Sequence, residues 1–332
     1  MPGGLNGADS LPEAGGRFVF GSGVWAEAFR LHLAAAAGSG CRVMAYYRLL
    51  ALDIDGTLVG PDQVVPADVV AAVAAAQASG VRVCVATGRS FGESVGIWRQ
   101  LRLPAPAEPM VLVGGALAAE PESGRTIYQR AIPRELACEL ADALGEMGCA
   151  AMALVDGWRW EVDYVLAETG DLAAASREWF DKMDARVRRV PRLADAEDLP
   201  DVLRVSAVAG ADEARAAAER LRGIFDGQLN VHAILAPNYG VTVVEAHSVA
   251  ATKLSALKYV AQGWRVGPGR IAAVGDDIND LSMVRGVGLG VAMPAAPDVL
   301  LDAADHVAVD GLAAFIRRFV AGEFDPDDRG TG

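Results

Sequence analysis

Cysteine and histidine are scarce in this chain, which has only four of each among its 332 residues. No two of the cysteines have the close spacing of a metal-binding or redox pair. They are Cys41, Cys84, Cys138 and Cys149. We therefore expect neither a disulfide framework nor a zinc site, and free thiols suit a reducing cytoplasm. The histidines are equally scattered and predict no metal cluster of their own.

Positive charge and long apolar runs are also lacking. The formal net charge is −13, which argues against a nucleic-acid partner. No uninterrupted apolar run is long enough to span a membrane, and no basic segment precedes the apolar stretch near Trp25, as a signal peptide would require. The sequence thus predicts a cytoplasmic protein without nucleic-acid or membrane partners, and it leaves the oligomeric state open.

What the sequence does contain is a pair of carboxylates directly after an apolar strand. The run Tyr46–Leu52 has β character and is followed by Asp53, Ile54 and Asp55. In an open α/β sheet, ligands bind beyond the carboxyl ends of the strands, so both acids should face a site. One carboxylate can attack while the other handles protons. The turn at Gly56 and Thr57 should expose N–H groups to an anion.

A second apolar strand, Val81–Val85, is followed by Ala86, Thr87 and Gly88. A hydroxyl at a strand end can donate a hydrogen bond to a phosphoryl oxygen. A threonine that only caps the following helix explains this motif equally well when it is taken alone.

Two more motifs carry charge. Lys253 stands at the start of a predicted helix, where a cation opposes the helix dipole, and this indicates an anionic partner. Further on, the strand Ile271–Val274 is followed by Gly275 and the acidic cluster 276–280. Two acids four positions apart, with an adjacent asparagine, suit a hard cation such as magnesium.

In this order the four motifs resemble the haloacid dehalogenase (HAD) superfamily of phosphohydrolases, in its Cof-type, sugar-phosphatase-like branch. The resemblance runs from about Arg48 to about Phe319 and includes the segment Gly290–Met293. It implies a magnesium-dependent phosphatase that acts on small phosphorylated metabolites through an aspartyl-phosphate. A phosphomutase would use the same nucleophile and stays open. A non-catalytic phospho-ligand binder is less favoured, because both Asp53 and Asp55 are present.

The resemblance also implies a role for each motif residue. Asp53 would be the nucleophile, and Asp55 the general acid and base. The residues that would bind the substrate phosphate are Gly56, Thr87, Gly88, Lys253 and Asn279. The residues that would hold Mg²⁺ are Asp53, Asp55 through its backbone carbonyl, Asp276 and Asp280.

Three positions depart from the family pattern near the expected substrate edge. Leu254 follows the lysine where glycine is usual, and Pro294 and Ala295 follow Met293 where Gly-Asn is usual. The segment 113–115 reads Val-Gly-Gly where Ser-Asn-Gly is frequent. No catalytic group is lost, so these departures bear on substrate choice.

Motif spacing predicts the architecture. Asp53 and Thr87 are close enough for one helix, Pro66–Ser79, and one strand. The interval from Thr87 to Lys253 is far longer than a crossover helix needs. We therefore predict an α/β protein, a doubly wound Rossmann-like parallel sheet core with an inserted α+β cap domain. The predicted boundaries are an N-terminal extension expected to be disordered (1–43), a core (44–120 and 246–322), a cap (121–245) and a frayed tail (323–332).

Within the insertion, periodicity predicts strands and helices in a roughly repeated order. The predicted strands are Thr126–Ala131, Ala150–Leu154, Trp158–Val165, Val202–Val208, Gln228–Leu235 and Gly240–Glu245. The predicted helices are Pro133–Met147, Asp171–Met183 and Ala211–Phe225. Four arginines between residues 186 and 192 are interpreted as a solvated loop in preference to a substrate clamp. As candidates for substrate selection we name Trp158, Asn238 and Glu245.

Overall fold

The computed structural model describes residues 45–236 and 240–326, so the predictions for residues 1–43, for Asn238 and for the end of the tail lie outside it. The strands are β1 (Leu49–Leu52), β2 (Arg82–Val85), β3 (Met110–Leu112), β4 (Leu117–Ala119), β5 (Thr126–Gln129), β6 (Ala151–Val155), β7 (Tyr164–Ala167), β8 (Val187–Val190), β9 (Val202–Ala209), β10 (Leu229–Ala236), β11 (Val241–Ser248), β12 (Ile271–Gly275), β13 (Leu289–Ala292) and β14 (His306–Val307). The helices are α1 (Ala67–Ala78), α2 (Phe91–Gln100), α3 (Arg134–Glu146), α4 (Gly157–Trp160), α5 (Ala174–Lys182), α6 (Ala211–Ile224), α7 (Lys253–Gln262), α8 (Leu281–Arg285), α9 (Asp298–Leu301) and α10 (Leu312–Val320).

The central sheet is parallel, with strand order β14-β13-β12-β1-β2. Its middle strand β1 is apolar throughout and fully buried, as expected of a parallel strand covered on both faces. Leu52 is in register with Val85 on β2 and with Val274 on β12. The three strands therefore end at one edge, and the residues that follow them meet there.

Alternation along β1 explains why the sheet has helices on both faces. Leu50 packs in a cluster with residues of α1 and α10, such as Val73 and Phe315. Leu49 packs on the opposite face with residues of α7 such as Leu257. Successive side chains of a strand point to opposite faces, so an all-apolar strand needs cover on both sides. The predicted doubly wound arrangement is confirmed.

A small antiparallel sheet follows the central one along the chain, with strand order β3-β4-β5. The strand predicted at Thr126–Ala131 is its edge strand and pairs with β4. The chain reverses at Ser123 and Gly124, and Gly124 has the positive φ of +74° that this turn requires. β5 is thus a hairpin partner of β4, and the chain reaches the second large sheet only after it.

The second large sheet has strand order β10-β11-β9-β6-β7-β8, and β7 and β8 are its parallel pair. One face is covered by α3 and α6, whose Leu140 and Leu221 pack on Val205 and Val244. The other face is turned toward the central domain, because Leu154 belongs to the same apolar cluster as residues of β1 and α1. A six-stranded sheet with α3 and α6 on one face and α5 against the other agrees with the predicted α+β insertion.

Two predictions within this segment are wrong. Residues 157–160 form the short helix α4 where a strand was predicted, because Asp156 caps it by accepting a hydrogen bond from the Trp158 N–H at 3.1 Å. The arginines interpreted as a solvated loop are at least partly exposed, as predicted, but they lie on or beside the edge strand β8 and not in a loop. Each is paired with a carboxylate: Arg186 with Asp163, Arg188 with Asp198, Arg189 with Glu168 and Arg192 with Asp142. Charge on an edge strand discourages pairing with another chain.

The beginning of the predicted frayed tail contacts the core. Phe324 lies with its ring centroid 5.3 Å from that of Phe315 on α10 and 4.9 Å from that of His306. Aromatic contact of this kind extends the packing of α10 into the tail. Within residues 45–236 and 240–326, no helix combines the length and apolarity that a membrane crossing requires.

Candidate active site

The ends of β1 and β12 place the first acids of the site. Asp53 directly follows β1, and its N–H donates to the Val274 carbonyl at 3.1 Å. This extends the ladder by one residue and fixes the Asp53 backbone. Its side chain is turned inward and the residue is 4% exposed. Asp276 directly follows β12. The first and fourth motifs therefore meet at one sheet edge, as predicted.

Lys253 lies at the centre of the cluster. Thr252 caps α7 by accepting from the Ser255 N–H, which fixes the backbone of the helix's first residue. The Lys253 Nζ lies 2.6 Å from Asp53 Oδ1 and 2.6 Å from Asp280 Oδ1. Only 1% of the residue is exposed, and a buried ammonium is stable only when it is paired. Lys253 is therefore not a solvent-exposed residue of the first helical turn but a buried member of the cluster.

Asp280 organises the loop after β12. It is fully buried, and its Oδ2 accepts hydrogen bonds from the N–H groups of Asp276 at 3.1 Å and Asp277 at 3.3 Å. Its other oxygen binds Lys253. Gly275 fits beneath it, because a Cβ there would collide with the Asp280 side chain. Asp280 thus holds both the loop that carries Asp276 and the ammonium of Lys253.

The cluster carries more negative than positive charge. Asp53, Asp276 and Asp280 each offer a carboxylate oxygen, and these oxygens lie within 4.8 Å of one another. Burial raises the pKa of Asp53 well above its usual range, against the opposing Lys253 ammonium. Burial and the Asp280 carboxylate raise the pKa of Asp276 to about 6. Three carboxylates around one ammonium therefore favour a further cation.

The donor set fits magnesium, which prefers oxygen ligands from one or two carboxylates. Gly56 lies close to Asp276, because a Cβ at position 56 would collide with that carboxylate. The backbone there has a φ of +69°, which also favours glycine. The loop after β1 can therefore bring its backbone against Asp276, beside the predicted metal ligand Asp55.

The Asp55 side chain is directed away from the buried cluster. It is 58% exposed and forms a bidentate pair with Arg89, with distances of 2.8 Å from Nε and 2.5 Å from Nη2. The same guanidinium donates to Gln63 Oε1 at 2.5 Å. Sequence reasoning did not single out Arg89, although it directly follows Thr87 and Gly88. Its position in that motif was the available signal.

The predicted phosphate-binding residues lie around the same edge. Thr87 is buried, and its Oγ1 accepts from the Arg89 N–H at 3.2 Å, which leaves the hydroxyl proton to donate elsewhere. Thr87 does not cap the following helix, because Ser90 is the cap of α2, and this leaves the phosphate-binding interpretation. Asn279 Oδ1 lies 3.4 Å from Lys253 Nζ, and its Nδ2 faces Gly88.

One predicted donor is already used. The Gly56 N–H donates to the Val59 carbonyl at 3.0 Å and closes the turn after β1, so it is not exposed to an anion as predicted. The neighbouring Thr57 has a buried hydroxyl that has no partner among the described residues. In this turn, Thr57 and not Gly56 has hydrogen-bonding capacity to offer.

Two of the departures from the family pattern lie in or against the start of α7. Leu254 packs against Gly286, where a Cβ would collide with its methyl groups. Gly115 has a φ of +99° and lies against the Thr252 carbonyl, so the loop 113–115 contacts the start of α7. Two of the three departures thus surround the helix end that carries Lys253.

Sequence comparison identifies the family. The sequence profile of the haloacid dehalogenase-like hydrolases matches residues 50–313. The chain belongs to this family. The predicted family, fold class and enzyme class, a HAD-type phosphatase, are thereby confirmed.

Two curated relatives extend along most of the chain. The 5-amino-6-(5-phospho-D-ribitylamino)uracil phosphatase YitU of Bacillus subtilis is 25% identical over 282 residues, which cover 82% of this chain and 97% of that protein. The pyridoxal phosphate phosphatase YbhA of Escherichia coli is 24% identical over 280 residues, with the same two coverages.

Solved structures share the fold. A haloacid dehalogenase-like hydrolase from Bacteroides thetaiotaomicron superimposes with a TM-score of 0.66 at 22% identity, over 82% of this chain and 99% of that one. The HAD subclass IIB sugar phosphatase BT4131 gives a TM-score of 0.64 at 20% identity, over 82% and 98% of the two chains. The arrangement of both sheets therefore has experimental counterparts.

Proposed function

We propose that this phosphatase hydrolyses phosphate monoesters of small metabolites through an aspartyl-phosphate on Asp53, with magnesium as cofactor. The observation that carries the proposal is the buried cluster in which Lys253 joins Asp53 and Asp280 at the edge where the strands end. Named relatives act on a ribityl-uracil phosphate and on pyridoxal phosphate, which are small phosphorylated metabolites. They support the same substrate class for this chain.

In the first half-reaction, Asp53 attacks the phosphorus atom, and the bond between phosphorus and the leaving oxygen breaks. Lys253 reduces the repulsion between the carboxylate and the phosphate, and the Thr87 hydroxyl donates to a phosphoryl oxygen. Asp55 donates the proton that the leaving oxygen takes up. For this step Asp55 must exchange its contact with Arg89 for one with the substrate.

In the second half-reaction, Asp55 takes a proton from water. The water oxygen bonds to phosphorus, the bond to Asp53 breaks, and inorganic phosphate leaves. Magnesium would be held by the Asp53 and Asp276 carboxylates and the Asp55 backbone carbonyl, with Asp280 supporting the loop. When bound, it would supply positive charge against the phosphoryl oxygens. A cytoplasmic location, which the unpaired thiols of Cys84, Cys138 and Cys149 suit, is part of the same proposal.

Release of inorganic phosphate from a panel of phosphorylated metabolites, with magnesium and after chelation, tests the proposal. We expect turnover that requires magnesium and that is lost in Asp53→Asn. Transfer of the phosphoryl group to a second sugar position, without release of phosphate, would instead identify a mutase. Absence of turnover on every ester by a folded, magnesium-loaded protein would overturn the proposed function.

A further inference from the structure

On the face opposite α3 and α6, the six-stranded sheet carries polar as well as apolar residues. On β9, Val205 and Ala207 pack against α3 and α6. The alternating residues Arg204, Ser206 and Val208 point to the other face and border a cavity there. The residue pattern of the strand therefore builds an apolar core on one side and a wall for a ligand on the other.

This inner-face cavity has a volume of about 220 Å³ and is bordered by β9, β11, α5 and the start of α2. Its apolar wall includes Trp179 and Met152. Its polar lining consists of one guanidinium, two carboxylates and three hydroxyls: Arg204, Glu93, Glu245, Tyr164, Ser176 and Ser206. Such a mixed lining suits an occupant with both an apolar surface and hydrogen-bonding groups.

The inner-face cavity adjoins the candidate active site. Arg204 Nη1 donates to the Gly88 carbonyl at 3.1 Å and lies 2.9 Å from Glu245 Oε2. Gly88 directly follows Thr87 and faces Asn279, whose Oδ1 is 3.4 Å from Lys253 Nζ. A substrate whose phosphoryl group lies between Asp53 and Thr87 can therefore extend past Gly88 toward the cavity.

Two buried polar atoms of the lining lack a protein partner. Neither the Ser176 hydroxyl nor Arg204 Nε has a hydrogen-bond partner among the described residues. Ser176 is only 3% exposed. An unsatisfied buried polar atom is costly, so such atoms are rare unless a ligand or water completes them. Both residues border the same cavity, so an occupant with hydrogen-bonding groups can complete these atoms once the lining adjusts around it.

The charges of the lining predict which occupants are disfavoured. Arg204 is the cation of the lining and is already paired with Glu245. Glu93 accepts hydrogen bonds from the Ser90 N–H at 2.9 Å and hydroxyl at 2.6 Å, and against the effect of burial both Glu245 and Glu93 raise the pKa of Arg204. Two carboxylates against one guanidinium leave the cavity negative, and a like charge brought into it is repelled.

We propose that the inner-face cavity binds the leaving group of the substrate. We further propose that it selects phosphate monoesters with an uncharged or cationic leaving group over those with a second anionic group. This assignment rests on the proposed phosphatase function and narrows its substrate class. The Arg204 Nε donates to the leaving group, the Ser176 hydroxyl donates to it or accepts from it, and Trp179 covers its apolar surface. Glu93 and Glu245 exclude a second anion.

Matched pairs of esters test the charge selection, since each pair differs in one group far from the phosphate. The pairs are sorbitol 6-phosphate with 6-phosphogluconate, glycerol 3-phosphate with 3-phosphoglycerate, and fructose 6-phosphate with fructose 1,6-bisphosphate. In each pair, we expect kcat/KM to be at least about tenfold higher for the ester whose leaving group is uncharged, a difference of about 1.4 kcal/mol. Glu245→Gln keeps the size of the side chain but removes one negative charge, so the preference should fall by about threefold or more.

The hydroxyl is tested by Ser176→Ala. This variant should raise KM for the preferred ester by roughly fivefold, in line with one lost hydrogen bond, while its melting temperature is unchanged or higher. Thr169→Val is the matched control, because Thr169 also has a buried hydroxyl without a partner but lies outside the cavity lining. It should alter neither KM nor the preference within the pairs.

The outcomes separate this assignment from the proposed function. A wild-type protein that hydrolyses p-nitrophenyl phosphate but shows no preference within the pairs, prefers the anionic members or hydrolyses none of them would overturn the assignment alone. Equal KM values for the Ser176 and Thr169 variants would remove Ser176 from it. A protein inactive on every ester, p-nitrophenyl phosphate included, would overturn both.

Discussion

The cluster around Lys253 and the inner-face cavity treat buried polar groups in opposite ways. In the cluster, the Lys253 ammonium lies 2.6 Å from the Asp53 carboxylate and 2.6 Å from that of Asp280, so these charged groups are paired before any substrate arrives. In the cavity, the Ser176 hydroxyl and Arg204 Nε are buried and have no partner within residues 45–236 and 240–326. The comparison suggests that the reacting part of the site is preorganised by the fold, whereas the selecting part is completed by its ligand.

The strongest way to break this comparison is to remove the nucleophile without disturbing the cluster. Asp53→Asn should lower kcat by at least roughly a thousandfold, because a neutral amide cannot attack phosphorus. Asp280 still pairs with Lys253, so the fold should persist. Phosphate release and circular dichroism measure the two effects. Near-normal turnover by the folded variant would end the assignment of Asp53 as nucleophile.

The proton donor can be separated from the nucleophile. Asp55→Asn keeps the attacking carboxylate but removes the group that activates water, so an aspartyl-phosphate should accumulate. Mass spectrometry of the quenched protein detects the added phosphoryl group. The double variant with Asp53→Asn is the control and should carry none. Steady phosphate release by Asp55→Asn at the wild-type rate would contradict the role of Asp55.

Preorganisation should also be visible in stability. Lys253→Met leaves the Asp53 and Asp280 carboxylates buried without their cation, which should cost about 3–5 kcal/mol of unfolding free energy at neutral pH. The pKa of Asp53 and that of Asp276 are raised in the folded protein. A carboxyl group whose pKa is higher in the folded than in the unfolded state stabilises the fold at low pH. This stabilisation is lost as the pH rises through the folded-state pKa.

The loss of unfolding free energy in Lys253→Met should therefore be smaller at pH 5 than at pH 7.5. Urea unfolding in a chelating buffer measures it. Lys258→Met on the same helix is the control, because Lys258 is exposed and lies outside the cluster. If the loss of unfolding free energy does not depend on pH, then Lys253→Met destabilises the fold through lost packing and not through unpaired charge.

A smaller effect is expected at the edge of the cluster. Asp276→Ala should raise the magnesium concentration needed for half-maximal activity by roughly tenfold or more, as loss of one carboxylate ligand would. Asp277→Ala removes a neighbouring carboxylate that is not among the three grouped acids and serves as the control. An unchanged metal titration in Asp276→Ala would remove Asp276 from the ligand set.

The smallest effect should come from the sequence candidate that lies outside the inner-face cavity. Trp158 is 53% exposed and borders a second, larger cavity of about 320 Å³. Trp158→Ala should change relative rates across an ester panel by less than about threefold, since little buried contact is lost. If Trp158→Ala changes the relative rates more than Glu245→Gln does, the leaving group binds in the second cavity instead.

Local signals in the sequence were sufficient for the core. An apolar strand followed by acids predicted the position of Asp53 at a sheet edge, because parallel strands end together there. Local signals failed where two interpretations competed over a few residues. The turn after β6 suited a hairpin as well as a helix cap, and the Asp156 side chain decided for the cap. The arginines near residue 188 were assigned to a loop because the strand β7 with which they pair is distant in sequence.

By itself, the sequence determined the family, the order of motifs and the sheet edge at which they meet. These follow from strand polarity and from residues adjacent in the chain. Only the tertiary structure decided that Lys253 is buried between two carboxylates and that Asp55 pairs with Arg89. It also decided that Arg204, Ser176 and Glu245 share one cavity. Such contacts join groups far apart in sequence, and their energies depend on burial and distance, which no local pattern encodes.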